Sequence, residues 1–467
     1  MSDSVDFQQI FQPELIKRYD QSGPRYTSYP TAVQFTTDIG EADYAGWAAQ
    51  SNQEPIPKPL SLYFHIPFCN TVCFYCACNK IITANRKRAA PYLDRLHKEI
   101  EMQATLFDDD RVVEQLHWGG GTPTFLNQVE MAGLMAHTRR FFQLRDDDEG
   151  EYSIELDPRE IDADGIRFLR DLGFNRISLG VQDLDPEVQK AVNRIQPLDI
   201  TLEVLHAARD NDYRSVSMDL IYGLPKQRLE SFSRTLDTLI EAGPDRLSIF
   251  NYAHLPQLFK PQRQIHAAEL PSPAEKLAIL EMCFDKLGAA GYVYIGMDHF
   301  AKPDDELAEA QRNGQLHRNF QGYSTRADCD LIGLGMTSIG KVLGNYSQNH
   351  RQMDDYVAAI DNGHLPVFRG YELEPDDQLR REIINGLICH FELDTHALGE
   401  RWKIDFNRFF RPELERLESM RQDGLLRIEP DRIEVLPPGR LLIRNICMVF
   451  DRYLDPEKTS GRFSRAI

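Results

Sequence analysis

The chain has 467 residues, enough for about three domains at ~150 residues each, although a single α/β barrel takes up ~250. Hydrophobic residues make up 42% and charged residues 27%, an ordinary globular balance that excludes wholesale disorder and collagen-like sequence. The formal net charge of −19 argues against non-specific nucleic-acid binding and docking on anionic lipid, while allowing a locally basic pocket.

The opening MSDSVDFQQI has no positive region followed by an apolar one, so no secretory signal is expected. No run approaches ~18 apolar residues, so no membrane insertion is expected either. Together these point to a cytoplasmic, reducing location in which cysteines are available as thiolates. Residues 1–55 read as an irregular N-terminal extension. Within it Pro24–Thr31 (PRYTSYPT) fits neither a helix nor a strand and reads as an ordered loop over the core or a cover for a substrate.

From Leu60 short apolar runs recur: Leu60–Ile66, Gln115–Trp118, Tyr152–Leu156, Arg176–Val181, Val216–Tyr222, Arg246–Asn251 and Tyr292–Gly296. Helical periodicity separates several of them, over Ala90–Leu106, Ile166–Leu172, Leu229–Ala242 and Ala274–Leu287. Alternating strands and helices predict parallel βα units, and six or seven of them predict an α/β barrel, complete or partial, over residues 56–365. Gly173 and Gly243 each stand where a helix exit would use the left-handed conformation. The active site of such a barrel lies at the C-terminal ends of its strands.

Residues 370–467 read as a separate C-terminal domain. Asp376–Cys389 and Pro412–Gln422 predict helices, and Gly424 closes the second. Leu425–Ile428 and Ile433–Val435 predict a hairpin around Glu429–Arg432, and Arg440–Tyr453 a final helix. Helix, helix, hairpin, helix resembles a small, mainly helical winged-helix-like unit. In so acidic a chain it is expected to pack or to shield substrate rather than to read DNA.

The eight cysteines are unevenly placed, with four between Cys69 and Cys78. Cys69, Cys73, Cys76 and Cys78 follow the first predicted strand with the spacing C-x3-C-x2-C-x-C. Zinc sites usually pair C-x2-C knuckles far apart in sequence, and ferredoxin spacing supplies four thiolates per cluster. Three thiolates on a four-iron cluster would leave one iron open to another ligand. A zinc knuckle using His65 or Cys78, and buried unligated cysteines, are the other readings. Cys78 is expected not to be a ligand, because a chelate with Cys76 across one residue would be strained.

Gly119-Gly120-Gly121-Thr122-Pro123-Thr124 follows the second strand. Alone it could be a plain tight turn. Beside a thiolate triplet its glycines would let a ligand approach the backbone closely. Glu155 lies within the third predicted strand, Tyr152–Leu156, where a carboxylate suits a ribose diol or a structural ion pair.

C-x3-C-x2-C after a first barrel strand resembles the radical S-adenosylmethionine (SAM) enzymes. The segments YFHIPFC, FYCAC, HWGGGTPT, SIELDPRE, NRISLGVQD, DLIYGLPKQ, FNYAHLP, GMDHFA, RNFQGYSTR and LLIRNICM further resemble the oxygen-independent coproporphyrinogen III oxidase family, across nearly the whole chain. The resemblance implies a partial (β/α)6 TIM-type barrel with Cys69, Cys73 and Cys76 on a [4Fe–4S] cluster. It implies two SAM molecules. Gly120 and its neighbours would meet the methionyl group of the first and Glu155 its ribose, with Tyr63 near the cluster-bound cofactor and Ile339 at the adenine. Tyr75, Gly121, Thr122, Gln182, Arg194, Asp219 and Ala253 would hold the second, and Gln321 would face it or the substrate. Without the family, Arg194 and Asp219 read equally as a structural ion pair.

The implied reaction turns two propionates of coproporphyrinogen III into vinyl groups through 5′-deoxyadenosyl radicals, giving protoporphyrinogen IX. A reducing electron donor is implied, and a monomer by analogy. Pro24–Thr31 and the final helix, with Arg440, Arg444 and Asn445, are the candidate substrate walls. The alternatives are a haem-binding trafficking protein and a radical methyltransferase built on the same thiolate triplet.

Overall fold

The computed structural model describes residues 7–326 and 329–454. Six parallel strands form its centre: β1 (Leu60–Ile66), β2 (Val112–Gly120), β3 (Glu151–Leu156), β4 (Arg176–Gln182), β5 (Ser215–Tyr222) and β6 (Arg246–Asn251). Their apolar runs are short because each strand is covered on the outside by a helix and faces its neighbours inside. The intervening helices are α1 (Ala89–Ala104), α2 (Gln128–Phe141), α3 (Ala163–Asp171), α4 (Leu198–Asp210), α5 (Leu229–Ala242) and α6 (Pro273–Ala289). Gly243 ends α5 in the left-handed conformation expected from the sequence, its N–H bonding the Leu239 carbonyl.

The barrel is partial. Beyond β6 the sheet continues through antiparallel β7 (Val293–Gly296) and β8 (His299–Ala301), in the order β7-β8-β6. A separate hairpin follows, β9 (His317–Asn319) and β10 (Gly322–Ser324). At the other edge β1 pairs in parallel with β11 (Asp330–Leu334), which leads into β12 (Ile339–Val342), β13 (Asn345–Asn349) and β14 (Val367–Tyr371).

In the C-terminal part α7 (Pro375–His390), α8 (Thr395–Trp402) and α9 (Arg411–Gln422) surround a small antiparallel sheet of β15 (Glu392–Asp394), β16 (Leu426–Glu429) and β17 (Arg432–Val435). The sequence reading of two helices and a hairpin holds here. The final helix does not run unbroken from Arg440 to Tyr453. Leu442, at φ −96° and ψ 17°, leaves the helical basin and divides it into α10 (Pro437–Leu441) and α11 (Ile443–Val449).

The N-terminal extension is more regular than its composition suggests. Pro13–Tyr19 and Glu41–Asn52 are helices, while Pro24–Thr31 is irregular, as expected. This irregular segment is laced to the C-terminal helix. Arg444 donates to the carbonyls of Gly23 and Pro24, and Asn445 donates to that of Tyr19 at 2.7 Å. The Tyr26 hydroxyl meets Asp451 at 3.0 Å. Arg444 and Asn445, read from the sequence as substrate walls, are thus engaged with backbone carbonyls. Arg440 lies 4.9 Å over the Phe391 ring.

Below the barrel mouth α1 buries Glu99 completely. Its carboxylate accepts from the Gly335 N–H, the Asn349 amide and the Tyr356 hydroxyl, tying β13 and the turn after β11 to α1. Burial dominates over these hydrogen bonds and pushes its pKa from 4.5 up to about 7. A raised carboxyl pKa means that between about pH 4.5 and 7 the unfolded chain gives up a proton that the folded chain keeps. This group's contribution to stability therefore falls as pH rises through that window. Relative to Glu99→Gln, the wild type should lose on the order of 3 kcal/mol between pH 4.5 and 7, measured by denaturant unfolding at both pH values. A constant difference across the window would contradict it.

Candidate active site

A cavity of about 340 Å³ opens at the C-terminal ends of the strands. Cys69, Cys73 and Cys76 lie in the loop that leaves β1, and all three line this cavity. Thr122 donates to the Cys69 sulfur at 3.6 Å, and Arg194 and Arg159 approach the Cys73 sulfur at 3.6 and 3.8 Å. Lys80 donates to the Cys76 carbonyl at 3.0 Å. These cations suit a thiolate-bound, electron-rich group. A hydrogen bond from Cys78, partly opposed by burial, holds the Cys76 thiol down at about 5. Cys78 also lines the cavity.

The donor set fits a polynuclear cluster better than a zinc knuckle. His65 has both ring nitrogens engaged, with the Tyr63 hydroxyl at 3.2 Å and the Asn79 carbonyl at 3.0 Å. Among the described residues no three His, Cys, Asp or Glu side chains close on a point that would hold a single metal ion. The three thiols instead share one wall of a cavity with room for several atoms.

The glycine loop is cut to this space. A Cβ on Gly119 would stand 2.9 Å from the Glu155 carboxyl carbon, and one on Gly120 2.6 Å from the His65 ring. A Cβ on Gly121 would stand 2.6 Å from the Phe68 carbonyl oxygen. Backbone bonds from Gly121 to the Ile66 carbonyl and from Thr122 to the Phe68 carbonyl, both 2.8 Å, join the loop to the segment entering the cysteines. Gly120, with φ at +113°, adopts a conformation that side-chain-bearing residues avoid.

Glu155 lines the same cavity. Its oxygens meet His117 Nε2 at 3.3 Å and the Gly120 N–H at 3.2 Å. Enclosure raises its pKa, but these contacts outweigh it and leave the carboxyl below its usual value, so it is an anionic acceptor. Tyr63 stacks on His117 with ring centroids 5.8 Å apart, which fixes the imidazole beside Glu155.

Tyr75, Gln182, Arg194 and Asp219 line the other side of the cavity. Arg194 is buried and spends part of its guanidinium on Asp157 at 2.8 Å and the Gly180 carbonyl at 2.6 Å, while its Nε has no partner. The ion pair weighed from the sequence between Arg194 and Asp219 is therefore formed with Asp157 instead. Asp219 accepts from the Ser178 hydroxyl at 2.9 Å, and burial pushes its carboxyl up to about 6. Tyr63, Ala253 and Ile339 do not line the cavity in this structure. The Ala253 carbonyl accepts from Gln262, and Ile339 packs with Phe35 and Tyr346.

Asp157 and Arg159 escaped the sequence reading as site residues. Arg159 grips Asp157 through two nitrogens, and both line the cavity. Their signal was present in the segment SIELDPRE, where an acid and a base follow the end of β3. The N-terminal segment reaches the site through Arg25, which pairs with Asp298 at 2.8 Å and lies 6.0 Å over the ring of Phe250, a wall of the cavity.

Residues 63–239 match the Radical SAM superfamily, and residues 373–442 match the HemN C-terminal domain. The chain is 54% identical over 454 residues to an oxygen-independent coproporphyrinogen III oxidase of Pseudomonas aeruginosa, covering 97% of this chain and 98% of the relative. It is 49% identical to the enzyme of that name from Escherichia coli, with the same shares covered. The solved Escherichia coli structure, described as coproporphyrinogen III oxidase (HemN), a radical SAM enzyme, superposes with a TM-score of 0.91 at 48% identity, over 96% of this chain and all of that one. Taken with the thiolate triplet and the glycine loop on one cavity, these likenesses show that the chain belongs to the oxygen-independent coproporphyrinogen III oxidase family of radical SAM enzymes.

Proposed function

We infer that this chain converts two propionate side chains of coproporphyrinogen III into vinyl groups without oxygen, giving protoporphyrinogen IX in haem biosynthesis. The observation that carries this reading is the convergence of Cys69, Cys73 and Cys76 with Gly120, Gly121 and Glu155 on one cavity, in a chain alike over its full length to oxidases of that name. When bound, a [4Fe–4S] cluster and SAM supply the one-electron chemistry that removes a hydrogen atom from a substrate carbon.

The chain's own residues bind and orient. Cys69, Cys73 and Cys76 would hold the cluster, with the Arg159 and Arg194 guanidinium groups beside the Cys73 sulfur. Gly120 and Gly121 offer backbone groups to a methionyl group, and Glu155 accepts from a ribose diol. Tyr63 acts through His117, while Ile339, expected at the adenine, packs with Phe35 and Tyr346 outside the cavity lining. Tyr75, Thr122, Gln182, Arg194 and Asp219, with Gly121, bound the space for a second SAM, and Ala253 stands outside that lining.

Each propionate side chain loses CO2, one proton and two electrons and becomes a vinyl group. One electron departs with the abstracted hydrogen atom and the other passes to an acceptor. No side chain has to serve as acid or base at the C–H step. A reducing electron donor, a monomeric state and a cytoplasmic location complete the reading. Among the described residues no helix is long and apolar enough to cross a membrane.

The test is anaerobic. Protein reconstituted with iron and sulfide, then given reductant, SAM and coproporphyrinogen III, should release CO2 and form a vinyl product. Stoichiometric haem binding without either product would contradict the assignment.

A further inference from the structure

Arg318 on β9 is only 6% exposed, yet its Nε and Nη1 have no hydrogen-bond partner. Its guanidinium sits 4.7 Å over the ring of Tyr323, its cross-strand partner on β10. Two neighbours share this state. Gln321 Nε2 and His299 Nδ1 are buried without partners, and the His299 ring meets Tyr323 edge-on at 5.2 Å.

Buried polar groups are nearly always paired, and a buried unpaired charge costs several kcal/mol. Other charges nearby are matched. Arg246 is held by Asp305 and Glu306, Arg176 by Glu306, and Asp298 by Arg25. Gln321, His299 and Tyr323 line a second, polar cavity of about 200 Å³ inside the barrel, which shares Glu155, Ser178, Asp219 and Phe250 with the cavity at the cysteines. That volume falls below the ~300 Å³ at which pockets begin to enclose whole small molecules, so it suits one arm of a ligand. Burial, then the charge of Arg318, holds the His299 imidazole neutral at about 3, so it carries one N–H and one acceptor.

We propose that Arg318, with Gln321 and His299, forms a carboxylate subsite that receives a propionate of the porphyrinogen. An arginine presents its donors in a fork that matches a carboxylate. Arg318 is not itself in the cavity lining and meets this wall through the face of Tyr323, and Gln321 and His299 would add neutral donors on the wall itself. This subsite deepens the activity proposed above and rests on it.

Binding of coproporphyrin III and of its tetramethyl ester to reconstituted holoprotein, followed by porphyrin fluorescence under anaerobic conditions, tests the subsite. Arg318→Met should weaken binding of the acid by about 10- to 100-fold, the range for losing a hydrogen bond to a charged group. Arg318→Lys should recover part of that loss, and neither variant should change binding of the ester or of SAM. Because Nε and Nη1 of the buried guanidinium have no hydrogen-bond partner, Arg318→Met should melt at the wild-type temperature or above it. Unchanged affinity for the acid, equal losses for acid and ester, or a lower melting temperature would each overturn the subsite. Absence of any vinyl product from the wild type would instead overturn the proposed activity, and the subsite with it.

Discussion

Cys69→Ser, Cys73→Ser and Cys76→Ser should each abolish both the brown absorbance of the reconstituted cluster and turnover. The three thiols share one cavity wall, and the one further thiol in its lining, Cys78, is separated from Cys76 by a single residue, a spacing at which a second chelate would be strained. Serine keeps the size but presents a hydroxyl that stays protonated where a thiol ionises. Removing a supporting residue around a metal ligand already costs ~10- to 100-fold in metal affinity or activity, and removing the ligand itself should cost more. Cys78→Ala provides the contrast. Cys78 lines the same cavity and hydrogen-bonds Cys76, so its loss should move the Cys76 thiol upward while the cluster still assembles. Iron and sulfide analysis beside the visible spectrum separates the two classes. Full activity in any of the first three variants would contradict the cluster assignment.

The second large effect is expected at Gly121. A Cβ there would meet the carbonyl oxygen of Phe68 at 2.6 Å and the carbonyl carbon of Pro67 at 2.8 Å, so backbone rather than a flexible side chain must give way. Gly121→Ala should cost about 1–3 kcal/mol, the usual range for forcing extra atoms into close packing. It should also separate the glycine loop from the segment entering the cysteines, because the Gly121 N–H bond to Ile66 lies at the same contact. SAM affinity, measured by equilibrium dialysis, should then fall at least tenfold. Gly133→Ala is the matched control. Gly133 is exposed on α2 with nothing within 4 Å of an added Cβ, so alanine should stabilise the helix by about 0.5–1 kcal/mol and leave cofactor binding unchanged. Equal behaviour of the two variants would show that the loop does not depend on close backbone approach.

Much of the barrel was legible because its strands are short and buried. Leu60–Ile66, Arg246–Asn251 and Leu229–Ala242 stand where the sequence places them, to the residue. β2 is longer than its apolar run because pairing with β1 carries Val113 and Gly120 into the sheet, and glycine gives no signal of its own. Helix Glu41–Asn52 was hidden by its composition, with Gly46 in its middle. Yet Tyr44, Trp47, Ala48 and Ser51, its buried residues, follow the spacing of one helix face. The break at Leu442 serves a tertiary purpose. It precedes Arg444 and Asn445, which hold the carbonyls of Tyr19, Gly23 and Pro24, and such long-range pairings leave no local trace.

The site was legible in part for the same reason. Cysteine spacing and three successive glycines are local and identify themselves. The partner of Arg194 is set by where two distant strands end, so Asp157 appears only in the fold. That Nε and Nη1 of Arg318 lack partners depends on which acids fail to reach them, and that too is a property of the folded barrel. The acidic total of −19 likewise says little about the cavity, where Lys80, Arg159 and Arg194 gather beside the cysteines.

The central claim is that this cavity directs hydrogen removal from a propionate carbon. The most direct measurement uses coproporphyrinogen III deuterated at the β-carbons of its propionates, with reconstituted protein, reductant and SAM under anaerobic conditions. The account predicts 5′-deoxyadenosine carrying deuterium from the substrate, formed in step with CO2 and vinyl product. Deuterium-free 5′-deoxyadenosine alongside vinyl product, or cofactor cleavage with no porphyrin product, would contradict it.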